Sequence, residues 1–109
     1  MGLITATIRL GYLSQSALDL EYKIQLITQT MMTLSQSNSD LMQVGTDYDP
    51  DSPVSKMLAQ RMAKLKVLEQ KLEAQKAQYM IRLKMIETEK QGCLEMLNKR
   101  IESTFRYSF

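Results

Sequence analysis

Apolar residues recur along this chain at helical spacing in two long stretches, separated by one short turn. In the first stretch the steps alternate between three and four residues, which is the heptad repeat of a coiled coil. The repeat is unbroken over Leu3, Ala6, Leu10, Leu13, Ala17, Leu20, Ile24, Ile27, Met31, Leu34, Asn38 and Leu41. This pattern predicts a helix over about residues 3–44, with Asn38 as the one clearly polar position of its seam.

The second stretch predicts a longer helix, over about residues 53–106. Pro53 suits the first helical position, Ser52 before it can cap the free amides, and no proline follows. With residues placed about every 100° around the axis, one apolar stripe contains Leu58, Leu65, Leu68, Leu72, Tyr79, Leu83, Ile86, Leu94, Leu97, Ile101 and Phe105. A second stripe, on nearly the opposite side, contains Ala63, Val67, Ala74, Ile81, Met85, Thr88, Gly92 and Met96.

The connection between the helices, residues 45–52, contains Gly45 as a candidate C′ residue, followed by Pro50 and Ser52. A connection this short makes the two helices antiparallel neighbours. We therefore predict one all-α domain over residues 1–109, an antiparallel helical hairpin of coiled-coil type. Because two helices bury only one seam, we expect oligomerisation to complete the fold.

This architecture divides the apolar residues into two predicted sets. The intrachain seam consists of Leu13, Leu20, Ile24, Ile27, Leu34, Leu41, Leu65, Leu68, Leu72, Tyr79, Leu83 and Ile86. The assembly interface consists of Ala63, Val67, Ala74, Ile81, Met85, Gly92, Met96, Ile101 and Phe105. Within the interface, the small residues Ala63, Ala74 and Gly92 would permit close approach of another helix.

Charge is unevenly distributed, although the net value is only +2. Residues 1–53 carry two bases against six acids (−4), and residues 54–109 carry twelve bases against six acids (+6). Such polarity favours head-to-tail or staggered contacts between copies. Between Gln25 and Gly45 the one charged residue is Asp40. A water-facing helix normally carries lysine and glutamate, so the uncharged side of the first helix favours packing against neighbours over simple solvation.

The sequence predicts no enzyme and no cofactor, because histidine is absent and no convergent catalytic or metal-binding set is visible. Asp47, Asp49 and Asp51 alternate as in a calcium loop, but the required glycine is missing and Leu58 stands where the bidentate glutamate belongs. They fit turn and capping roles better. Cys93 is the single cysteine, which excludes an intrachain disulfide, and we interpret it as a packing residue.

The N-terminal residues do not fit a secretory signal, since Arg9 interrupts the apolar run. No stretch approaches the length of a membrane span. We therefore predict that the chain is made in the cytoplasm without a cleavable signal. The sequence does not decide whether it is then exported to the cell surface or exterior.

The Pro50-Asp51-Ser52-Pro53 turn and the closing stretch Ile101–Arg106 resemble those of type III secretion needle-filament subunits. The resemblance implies hairpins stacked helically into a hollow tube, with the C-terminal helix facing the lumen. Export would then involve a secretion or assembly chaperone. Small secreted hairpins built around a Trp-x-Gly turn are a poorer comparison, because this chain has no tryptophan.

The predicted function is therefore structural: self-assembly into a helical filament or tube. A discrete coiled-coil dimer or four-helix bundle, acting as an adaptor, a chaperone or a signal-less secreted partner, is the alternative. A second rival is binding of nucleic acid or a membrane surface by the basic second helix. Acids alternate with bases along that helix, and no basic face with interleaved aromatics forms, which argues against this rival.

Overall fold

Two long α helices make up the chain in a computed structural model that describes residues 2–108. Helix α1 spans Leu3–Gly45 and helix α2 spans Pro53–Ser108, with no strand in the described part. The predicted all-α helical hairpin is confirmed. Both helices extend slightly beyond their predicted ends, α1 by one residue and α2 by two.

The turn ends one helix and starts the next by local hydrogen bonds. The amides of Thr46 and Asp47 donate to the carbonyls three residues earlier (both 3.2 Å), so the end of α1 tightens as in a 3₁₀ turn. Gly45 belongs to α1 itself, and no described glycine has a positive φ, so α1 does not end in the left-handed C′ residue that the sequence suggested. Ser52 caps α2, because its hydroxyl accepts a hydrogen bond from the amide of Ser55 (3.2 Å).

The hairpin consists of two compact units, and both helices contribute to each. The terminal unit pairs α1 up to Lys23 with α2 from Tyr79 onwards, and the turn unit is Ile24–Gln78. In the terminal unit the helices run antiparallel: Arg9 bonds Glu89, and the thiol of Cys93 donates to the carbonyl of Ala6 (3.6 Å).

Complete burial is concentrated in the terminal unit. Its buried side chains are Ala6, Leu13, Ala17, Leu20 and Leu97. In the described turn unit only Ile27 is buried, and the other seam side chains are half-buried. Each unit therefore has a single seam between two helices, and the seam of the turn unit is the less covered of the two.

The seam of α2 departs from the predicted stripe. Its buried and half-buried positions follow a heptad repeat: Leu58, Met62, Leu65, Glu69, Leu72, Lys76, Tyr79, Leu83, Ile86, Lys90, Cys93, Leu97 and Arg100. Leu68 was predicted in the seam but is 43% exposed, and Glu69 takes the inward position instead. The predicted stripe was placed with about 3.6 residues per turn, whereas the observed seam repeats about every 3.5 residues. The two patterns separate by about 20° per heptad, so the predicted stripe departs from the observed seam along α2.

Asn38 occupies the seam of the turn unit, as the heptad pattern of α1 predicts. Its side chain is half-buried, and its Oδ1 is buried without a hydrogen-bond partner in the described structure. An unpaired buried carbonyl oxygen lowers stability, so Asn38 weakens this seam.

Candidate assembly surfaces

The side of α1 turned away from α2 carries large apolar side chains in the terminal unit. We define the α1 outer face as Ile4, Ile8, Tyr12, Leu18 and Tyr22, which are 77, 68, 63, 59 and 62% exposed. These residues lie outside the seam positions of the heptad, so the partner helix cannot cover them. Leu26 and Met32 continue the apolar character in the turn unit, at 44 and 69% exposure.

Charge is almost absent from this side of the helix. Between Ile4 and Tyr22, Asp19 is the one charged residue at the positions opposite the seam, and the neighbouring polar ones are Thr5 and Gln15. The outward positions in the middle and end of α1 are mostly glutamine, threonine and serine. A helix that faces water permanently would carry lysine and glutamate at such positions.

Charged residues on the flank of α1 have partners within the terminal unit. The guanidinium of Arg9 pairs with the carboxylate of Glu89, and this hydrogen bond, aided by the opposite charge, raises the pKa of Arg9. Arg9 also lies over the ring of Tyr12, at 5.5 Å from its centroid. Lys23 lies 5.6 Å from the centroid of Tyr79. The Arg9–Glu89 and Lys23–Tyr79 contacts link the helices, whereas the Arg9–Tyr12 contact lies within α1 and places the guanidinium at the edge of the α1 outer face.

The residues that the sequence predicts as an assembly interface are exposed on α2 in the structure. They are Ala63, Val67, Ala74, Ile81, Met85, Gly92, Met96, Ile101 and Phe105. Ile81 and Met85 are the most prominent large side chains, at 62 and 67% exposure. Lysines and glutamates, including Lys84 and Glu95, alternate with these residues along α2. The exposed side of α2 is therefore more charged than the α1 outer face.

Sequence reasoning assigned α1 a single apolar stripe and missed its outer face. The signal was present in two runs with steps of four residues, Ile4-Ile8-Tyr12 and Leu18-Tyr22-Leu26. Steps of four keep side chains on one side of a helix. The unbroken heptad beside these runs dominates the hydropathy pattern of α1 and masks the second face.

Shallow cavities follow the seam of the turn unit. One of about 340 Å³ is lined by Leu41, Arg61, Lys64, Leu65 and Leu68. Another, of about 260 Å³, is lined by Val54, Met57, Leu58 and Arg61. Both contain Arg61 beside an apolar floor, so they lie on the same flank of α2.

The described residues contain no group of three or more His, Cys, Asp or Glu side chains that could hold a metal ion. Over the same residues, neither helix has a run apolar enough to cross a membrane. No protein-family model, no curated protein and no solved structure matches this chain.

Proposed function

We propose that this chain is a structural subunit that assembles with copies of itself into a helical filament or tube. The observation that carries the proposal is the α1 outer face, which is apolar, nearly uncharged and exposed in a single hairpin. Apolar surface of this kind gains free energy when another surface covers it. A neighbouring copy supplies such a surface without any further partner.

The size of the face supports association. A fully covered aromatic side chain buries about 150–250 Å², and full burial of isoleucine or leucine, worth about 1.5–3 kcal/mol at about 25 cal/mol per Å², corresponds to about 60–120 Å². Two tyrosines and three aliphatic side chains that are 59–77% exposed therefore present roughly 300–550 Å² per copy. That equals the largest apolar patches found on monomers, which are often functional, and it supplies a large part of the roughly 800 Å² per partner of a stable interface.

The position of the two faces favours an open polymer. Within the terminal unit α1 and α2 pack through their seams, so the α1 outer face and the outer side of α2 around Ile81 and Met85 point in opposite directions. Two different surfaces that bind each other form heterologous contacts, which propagate from copy to copy unless the rotation closes a ring. A pair of hairpins using one shared face would instead stop at a dimer.

Charge favours contact between unlike helices in the terminal unit. Its α1 segment carries Arg9 and Lys23 against Asp19 and Glu21, a net charge of zero, whereas its α2 segment carries six bases against four acids, a net charge of +2. Pairing α2 with α2 would bring like charges together, and pairing α2 with the neutral α1 segment avoids this repulsion. The resemblance of the turn and tail to needle-filament subunits favours a helical tube.

Negative-stain electron microscopy and light scattering of the purified chain, over a range of concentrations, test the proposal. We expect fibres or tubes of uniform width, with scattering that rises steeply with concentration. A single small species of constant size would refute the polymer and favour the dimeric or four-helix bundle as an adaptor or chaperone.

A further inference from the structure

The turn unit separates its charges by sign. Its α1 segment and turn carry four acids and no base, a net charge of −4. Its α2 segment carries six bases and two acids, a net charge of +4. The carboxylates of Asp47, Asp49 and Asp51 are exposed, and the ion pair that the described residues form, Arg9–Glu89, belongs to the other unit. The turn therefore presents three carboxylates without cationic partners in the described chain.

One flank of the same unit presents the complementary surface. We define the basic groove as Val54, Met57, Arg61, Lys64 and Leu68, which line the two cavities described above. Val54, Met57 and Leu68 are 41, 59 and 43% exposed. The groove therefore combines an apolar floor with two cationic side chains, and it begins directly after the acidic turn.

We propose that two copies pair through their turn units about a twofold axis, with the aspartates of each turn against Arg61 and Lys64 of the other copy. The pairing rests on the proposed function, since it is a second contact between copies. Such a contact is isologous: the turn of one copy meets the groove of the other, and the reverse holds at the same time.

Helix geometry allows both halves of this contact to form together. At about 1.5 Å per residue, Lys64 lies about 10 Å along α2 from Met57, and Pro53 lies about 6 Å away in the opposite direction. The acidic turn follows immediately beyond Pro53. When two copies overlap antiparallel with Met57 at the centre, the turn of each lies level with Arg61 and Lys64 of the other.

The occupant is a second copy because the charges match in both directions. Each copy supplies both the anionic turn and the cationic groove, so every aspartate that enters a groove has a counterpart at the other end. Val54 and Met57 of both copies meet at the centre, and the ion pairs surround them. An apolar centre with a polar rim is the usual arrangement of protein interfaces.

The test uses the full-length chain carrying Ile8→Glu, which introduces a charge into the α1 outer face and removes the polymer contact. We expect this variant to form a dimer in sedimentation velocity at about 0.1 M salt, and its dissociation constant to rise at least about tenfold at about 1 M salt. Circular dichroism checks that every variant keeps its helicity.

Charge reversals then locate the contact. Two reversals, Asp47→Lys/Asp51→Lys in the turn and Arg61→Glu/Lys64→Glu in the groove, should each raise the dissociation constant at least about tenfold. Combining them restores opposite charges and should return dimerisation to within about threefold of the parent. Lys56→Glu/Lys66→Glu is the matched control, because it makes the same change in charge in the same unit outside the groove. It should leave dimerisation close to that of the parent.

Several results would overturn the pairing. If the Ile8→Glu variant is monomeric at low salt while the unmodified chain polymerises, the pairing of turn units is refuted. The proposed polymer is then supported without it. The pairing also fails if the control weakens the dimer as much as the groove reversal does, or if the combined reversal, with helicity intact, recovers nothing. An unmodified chain that is monomeric at every concentration refutes the proposed function as well.

Discussion

Replacing Ile8 with glutamate perturbs the α1 outer face at its second-most exposed side chain. Full burial of an isoleucine is worth about 1.5–3 kcal/mol. Because 68% of Ile8 is exposed in the hairpin, a contact that covers it contributes about 1–2 kcal/mol per interface. The glutamate loses this contribution and adds the cost of removing an unpaired carboxylate from water, which amounts to several kcal/mol. The sum predicts at least about a hundredfold weaker association, since each 1.4 kcal/mol is a factor of ten.

The assay is the critical concentration for polymer formation, measured by light scattering and checked by electron microscopy. Thr7→Glu provides the matched control: it adds the same charge one residue earlier, on the flank of α1. Glu21 already occupies the equivalent heptad position two repeats later, which shows that this position accepts a carboxylate. Polymerisation of Ile8→Glu at the concentration of the unmodified chain, or equal inhibition by Thr7→Glu, would refute the assignment of this face.

Three further substitutions test the other contacts. Ile81→Glu should leave helicity largely intact in circular dichroism but abolish polymers in electron micrographs. Polymers like those of the unmodified chain would refute the assignment of Ile81 to the interface. Leu65→Ala should lower the free energy of unfolding in urea by about 1–3 kcal/mol, whereas Leu68→Ala should change it by less than about 1 kcal/mol, because Leu65 lies in the seam and Leu68 does not. Equal losses would contradict the observed register. Asn38→Leu should raise the free energy of unfolding by about 1–2 kcal/mol, since it removes an unpaired buried oxygen. A decrease would show that Asn38 has a partner in solution.

The helical hairpin could be predicted because its determinants are local. The heptad of α1 needs only the spacing of apolar residues along one helix, and the buried residues Leu13, Leu20 and Ile27 follow it. The start of α2 was equally accessible, since Ser52 and Pro53 carry the capping signal within two residues. Each of these features depends on neighbours in sequence and on nothing distant.

The register of α2 could not be predicted in the same way, because polar residues occupy several of its inward positions. Glu69, Lys76 and Lys90 are half-buried in the seam, while the more apolar Leu68 and Leu94 are exposed. Long charged side chains can place their methylene groups against a seam and keep the charge in water. Which residue faces inward therefore depends on the partner helix, and the hydropathy of α2 alone does not contain that information.

The two proposed contacts differ in chemistry, so solution conditions act on them in opposite ways. The α1 outer face is apolar, and salts that strengthen apolar burial favour its contact. The contact between turn and groove depends on charge, and ions screen it. Low salt therefore favours pairing through Arg61 and Lys64, and high salt leaves the apolar contact around Ile8 and Tyr22 dominant. An assembly that uses both contacts combines a twofold contact between turn units with a repeating contact through the α1 outer face. The relative strength of the two contacts then depends on salt, because apolar and charged residues lie on different parts of the two helices.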